Sequence, residues 1–163
     1  MTELTQIISY LCEKYKPKAI ILHGSRARGD MLDNSDYDFI LITDLPEQIR
    51  PENYKGMDLD VGGISPSQEI LKSGFTPIWP CLVLFDDEDR LGKKLVQKTE
   101  DAFLKGPPSL THEELENRLN FSSRLIRRIQ TRGDDPLIRL YYLGDFYQRV
   151  LRYWCEINQK WTM

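Results

Sequence analysis

The sequence predicts an α+β fold: a four-stranded sheet with flanking helices over residues 1–105, then a helical hairpin over residues 109–163. Three observations carry this. Four short apolar runs, Ala19–Leu22, Tyr37–Ile42, Met57–Ile64 and Cys81–Phe85, are bounded by turn-forming or charged residues, as buried strands are. Segments with apolar residues three and four apart lie before, between and after them, as amphipathic helices require. No strand signal follows Gly106-Pro107-Pro108, the strongest break in the chain.

The elements follow in order. Leu4, Ile7, Ile8, Leu11 and Tyr15 mark one face of a helix over residues 3–15, with Thr2 as N-cap and Pro17 as terminator. Lys18 to His23 reads as a buried strand. Gly24 supplies a tight turn, and Ser25 to Arg28 begin a short helix. A polar loop over 29–35 leads to the second strand, Tyr37 to Thr43. Residues 45–56 hold Pro46, Pro51 and Gly56 and read as irregular. In the third strand, Met57, Leu59 and Val61 alternate with Asp58 and Asp60. Ser65-Pro66-Ser67-Gln68 is a capping box for a short helix ending near Gly74. The fourth strand is Cys81–Phe85. Asp86 or Asp87 then caps a helix carrying Leu91, Leu95, Ala102 and Phe103.

Beyond the break, Thr111-His112-Glu113-Glu114 is a second capping box. It opens a helix with Leu115, Leu119, Ser122, Leu125, Ile126 and Ile129 on one face, stopped at Gly133. Asp134-Asp135-Pro136 opens another, carrying Leu140, Leu143, Tyr147, Val150, Leu151, Trp154 and Ile157. That helix reads as running on towards Met163, so the hairpin must pack on the sheet, on another copy or on more chain.

Composition narrows the function classes. The 163 residues are 40% apolar and 29% charged, ordinary for a globular protein. The net charge of −3 and the absence of a basic stripe argue against a nucleic-acid backbone as main partner. The three cysteines, Cys12, Cys81 and Cys155, are scattered and form no CxxC, so they read as reduced thiols rather than disulfides or a zinc site. No run is long enough to span a membrane, and the acidic start is not a signal peptide, so a cytoplasmic location is expected.

The chemistry concentrates in Leu22-His23-Gly24-Ser25-Arg26-Ala27-Arg28-Gly29 and in Ser35-Asp36-Tyr37-Asp38. Asp36 and Asp38 stand at i and i+2 where a strand begins, so both point to one face. Two close like charges repel unless a cation sits between them, and carboxylate oxygens suit magnesium. Asp60, in the third strand, can add a further oxygen if that strand lies beside the second. A strand feeding a glycine turn and a helix start presents backbone N–H groups to an anion. The Ser25 hydroxyl and the Arg28 guanidinium add donors. Neither a Walker A loop nor a G-x-S-x-G elbow is present, so Ser25 reads as a phosphate ligand, not a nucleophile. His23 reads as a packed histidine and Arg26 as a solvated side chain.

Together these two stretches resemble the GS(x)ARG and SDxD signature of the DNA polymerase beta-like nucleotidyltransferase superfamily. They are most similar to its minimal nucleotidyltransferases and to antibiotic nucleotidyltransferases of the kanamycin type. The resemblance spans about residues 19–64. It implies the nucleotidyltransferase fold, a small mixed sheet with helices. It implies transfer of a nucleoside monophosphate, AMP by expectation, from ATP or another NTP to a hydroxyl of a small molecule or protein, with release of pyrophosphate. Two Mg2+ ions would be held by Asp36, Asp38 and a third carboxylate that also serves as general base. Asp60 is favoured for that place, with Asp58 as the alternative. Gly24 and Ser25 would hold the β,γ-phosphates, with Arg28 nearby. The alternative function is an antitoxin-like minimal nucleotidyltransferase that binds, and can modify, a helical toxin. A homodimer or a helical partner through the C-terminal helices is the corresponding expectation for partners; neither a membrane nor a nucleic acid is expected.

Overall fold

The computed structural model describes residues 2–68, 78–131 and 135–161. The chain divides into two compact units, Met1–Lys105 and Gly106–Met163.

The first unit opens with α1 (Glu3–Tyr15), capped by Thr2, whose hydroxyl accepts from the Thr5 N–H at 3.3 Å. Its ordered elements continue with β1 (Ala19–His23), α2 (Gly24–Arg28), β2 (Tyr37–Ile42), a 3-10 turn (Pro46–Gln48), β3 (Glu52–Tyr54), β4 (Met57–Ile64), β5 (Leu82–Asp86) and α3 (Leu91–Lys105). The sheet order is β3-β4-β2-β1-β5. The β2–β4 pair is parallel and the other three pairs are antiparallel, so the sheet is mixed.

The sheet has five strands, not four. The extra one, β3, lies in the stretch that reads as irregular. Tyr54 pairs with Met57 across a two-residue turn, Lys55-Gly56, in which both residues have positive φ. That is the primed geometry that suits a twisted hairpin. The Asn53 side-chain oxygen Oδ1 accepts from the Gly56 N–H at 2.9 Å, and its Nδ2 donates to Asp58 Oδ1 at 2.8 Å. The two prolines conceal a strand of only three residues, too short to show an apolar alternation.

Both faces of the sheet are covered, by different partners. Ile20, Leu22, Tyr37, Phe39, Leu41, Leu59 and Val61 pack with Ile7 and Leu11 of α1. Ala19, Ile21, Ile40, Ile42 and Ile64 pack with Leu95 of α3, with Leu91 and Val96 at the margin. Asp86 caps α3, its two carboxylate oxygens each accepting at 3.0 Å from the N–H groups of Gly92 and Lys93. A Cβ on Gly92 would come within 2.9 Å of Ala19 Cβ, so glycine sets how closely α3 approaches β1.

In the second unit, α4 (His112–Thr131) and α5 (Pro136–Ile157) run antiparallel. Arg118 meets Glu156 and Tyr153, Phe121 meets Arg149, and Arg128 meets Tyr142. The capping box forms: Thr111 N–H donates to Glu114 at 2.8 Å, and Glu114 N–H donates to the Thr111 hydroxyl at 3.2 Å. Asp135 caps α5. That helix stops at Ile157, short of the expected continuation, because Asn158 and Gln159 leave helical geometry and Gln159 takes a positive φ. The short helix expected to reach Gly74 falls mostly, and the Gly133 stop wholly, outside the described residues.

The edge strand is anchored through Glu52. Its carboxylate accepts from Tyr10 Oη at 2.6 Å, from Tyr15 Oη at 3.0 Å and from the Lys14 ammonium. Burial pushes this carboxyl up, but the three donors outweigh it and hold its pKa below the usual value. A group held low stabilises the fold above the carboxylate range, and that contribution is lost as pH falls. Glu52→Ala is therefore expected to cost about 2 kcal/mol at neutral pH by denaturant titration. The gap from wild type should narrow as pH drops through the carboxylate range; a constant gap would show that the charge is not its source.

Candidate active site

The site lies on the α3-side face of the sheet, at the end that the α3 core cluster does not reach. Side chains alternate between faces along each strand. Ala19 and Ile21 belong to the α3-side core, so His23 points to the same face. By the same parity Asp38 shares a face with Ile40 and Ile42, and Asp60 with Ile64. The register then brings them level: His23 pairs with Asp38 across β1 and β2, and Asp38 pairs with Asp60 across β2 and β4. One row across three adjacent strands carries an imidazole and two carboxylates. The neighbouring row is Ile21, Ile40 and Gly62. Gly62 leaves the floor beside Asp60 without a side chain.

The register distinguishes the two candidate carboxylates on β4. Asp60 stands beside Asp38. Asp58 lies two residues upstream, pairs with Asn53 of β3 and accepts its amide hydrogen bond. Asp36 lies just before β2 and is exposed, as is Asp60. Asp38 is half-buried.

The glycine turn is built against the aspartate. Gly24 has φ +69°, and a Cβ there would fall 1.9 Å from Asp38 Oδ2. No side chain fits that space, so the turn and the carboxylate are in direct contact. Ser25 follows in the first turn of α2, half-buried. Its carbonyl accepts from the Gly29 and Asp30 N–H groups at 2.9 and 3.2 Å, which closes the short helix. Arg28 is exposed, and its Nε donates to Asp30 at 3.1 Å.

Arg26 departs from its expected role. It is not a solvated side chain: Nε donates to the Asp36 carbonyl at 2.9 Å, and Nη2 donates to the Ser35 carbonyl at 2.7 Å. Its guanidinium carbon sits 3.7 Å from the centre of the Tyr37 ring. Arg26 thus ties α2 to the start of β2 and holds the chain just where the aspartates begin. Nothing in a single arginine's spacing distinguishes this from solvent exposure; the contact exists only once the 29–35 loop folds back.

The electrostatics are unbalanced. Burial raises the Asp38 pKa, and the Asp36 and Asp60 carboxylates raise it further, against opposing effects of His23 and Arg28. Burial lowers the His23 pKa, although the Asp38 and Asp60 charges pull it upward. His23 therefore belongs to the electrostatics of the site, more than a packed histidine would. Its place at the parity of Ala19 and Ile21, opposite Asp38, is the signal that finds it. Among the described residues, no three carboxylate, imidazole or thiol groups close into a ligand cluster. The donor set nonetheless fits a hard divalent cation, because it offers carboxylate oxygens whose mutual repulsion lacks full compensation.

Two outcomes follow. A carboxyl whose folded pKa is raised costs stability once ionised, so the fold loses stability as pH rises through that value. Asp38→Asn should therefore raise the melting temperature of the metal-free protein at neutral pH, with the gain vanishing at acid pH where Asp38 is protonated. A lower melting temperature at neutral pH would contradict this. Arg26→Ala should cost about 2 kcal/mol of stability, for two charge-assisted bonds and a ring contact. Arg26→Lys should restore only part of it, since a single ammonium cannot reproduce the guanidinium fork; full restoration would count against the bidentate role.

A family model, nucleotidyltransferase domain, matches residues 4–128. The match covers most of the chain, including both the glycine turn and the three aspartates. No curated protein matches the chain. No helix among the described residues is long and apolar enough to cross a membrane.

Proposed function

Since this chain belongs to the nucleotidyltransferase domain family, we propose that it moves a nucleoside monophosphate from an NTP, ATP by preference, onto a hydroxyl acceptor with release of pyrophosphate. The observation that carries this reading is the level placement of Asp38 and Asp60 on adjacent parallel strands, with Gly24 packed against the Asp38 carboxylate.

Roles follow from position. Asp36, Asp38 and Asp60 are the residues that would hold magnesium. Bound there, the metal offsets triphosphate charge and acidifies the acceptor hydroxyl. Gly24 leaves room for a phosphate to approach the backbone, Ser25 donates from its hydroxyl, and Arg28 offers further donors on the exposed side. Asp60, more open than Asp38, is the general base. It takes the proton from the acceptor hydroxyl as that oxygen attacks the α-phosphorus. The bond from the α-phosphorus to its bridging oxygen breaks, and pyrophosphate leaves with the electron pair. The low His23 pKa keeps the imidazole neutral, so it adds no positive charge beside Asp38 at neutral pH.

The direct experiment is to incubate the protein with each labelled NTP and magnesium, with and without cell extract, and to follow pyrophosphate and the labelled product. Asp60→Ala should reduce turnover by at least a hundredfold while leaving the melting curve close to wild type. Asp58→Ala should keep most of it. The reverse pattern would move the third carboxylate to Asp58, and no pyrophosphate with any NTP would sink the reaction itself.

A further inference from the structure

Helix α5 carries two seams with alternating three- and four-residue spacing, and the more polar one faces α4. Tyr142, Arg149, Tyr153 and Glu156 meet α4, with Phe146 half-buried in the same line. The second seam is Leu140, Leu143, Tyr147, Val150, Trp154 and Ile157. Each of these six is between 42% and 71% exposed. The whole of α5 contains no buried residue. A regular three-four repeat of large apolar residues, kept over six positions, is the pattern of a helix that packs along another helix. Left in water it is an exposed apolar stripe of a kind that monomers avoid.

We propose that this seam is a homodimer interface, in which α5 of a second copy lies antiparallel along it about a two-fold axis between Tyr147 and Val150. Three features favour a second copy as the occupant. The stripe is self-complementary under that axis. Leu140 meets the partner's Ile157, Leu143 meets the partner's Trp154 and Tyr147 meets the partner's Val150, so no layer joins two aromatic residues. None of the six seam positions carries a charge, and the Lys160 ammonium, 5.2 Å from the Trp154 ring centre, lies at the end of the stripe. The area also suffices. At roughly 100 Å² for each of twelve apolar side chains, the seam alone reaches about 1,200 Å², where stable interfaces begin. With α4 on the other side of each α5, the product is a four-helix assembly of two hairpins. The inference rests on the second unit alone and is independent of the reaction assigned to the first.

The full-length chain should sediment at about twice its 19.1 kDa mass at micromolar concentration. Trp154→Asp should shift it to the monomer, with helix content by circular dichroism unchanged because the residue is already exposed. The register is tested by cross-linking in a Cys155→Ser background. Leu143→Cys and Trp154→Cys chains, each alone, should form no disulfide dimer under mild oxidation, whereas their mixture should. A monomeric wild type overturns the proposal, as does a dimer unaffected by Trp154→Asp. Cross-linking of Leu143→Cys with itself would overturn the antiparallel arrangement.

Discussion

The contact between Gly24 and the Asp38 carboxylate is the constraint on which the site depends. The space for a Cβ at position 24 is already taken by an oxygen of Asp38. That oxygen is there because β1 and β2 are antiparallel and in register at His23 and Asp38. The glycine turn and the aspartate are thus two ends of one hairpin-like pairing. The intervening 29–35 loop must return the chain within a few ångströms of its departure point. Arg26 secures that return by bonding two carbonyls at the start of β2. The turn's backbone, the aspartate and the arginine form a closed local circuit.

The sheet around that circuit is divided by function along its length. At the inner rows the α3-side face is aliphatic and seals against α3, through Ala19, Ile42 and Ile64. Four residues along each strand the same face turns polar, with His23, Asp38 and Asp60. The opposite face is apolar over the four longer strands that pack on α1, with Glu52 as the charged residue at its β3 edge. A carboxylate-rich row can persist because its strands are held from behind. Its cost is visible in the raised Asp38 pKa, a destabilisation that the packing of two core clusters absorbs. Such local conflict with the rest of the fold is what the proposed cation- and phosphate-binding role would require.

The second unit follows a different logic. Its two helices are specified by strong local signals: a capping box at Thr111 and Glu114 and an aspartate cap at Asp135. Their mutual contact uses rings and guanidinium groups, while the apolar stripe of α5 faces away. Local caps mark where both helices begin, and the remaining stripe is the surface on which the proposed homodimer rests.

The sequence by itself determined the positions of four of the five strands, the two-unit reading as an expectation, and the family resemblance carried by Gly24, Ser25, Arg28, Asp36 and Asp38. These depend on near neighbours: apolar runs, caps, and a glycine where a side chain would strain the turn. It did not determine β3, because three edge residues between Pro51 and the Lys55-Gly56 turn carry no periodic signal. It also left Asp58 and Asp60 as alternatives, since both share one face of β4. Only the parallel register of β2 with β4 sets Asp60 beside Asp38, while the antiparallel register of β3 with β4 sets Asp58 beside Asn53. His23 and Arg26 likewise acquire their parts only in three dimensions. Strand pairing and loop closure join residues far apart in the chain, and no local pattern encodes which of them will meet.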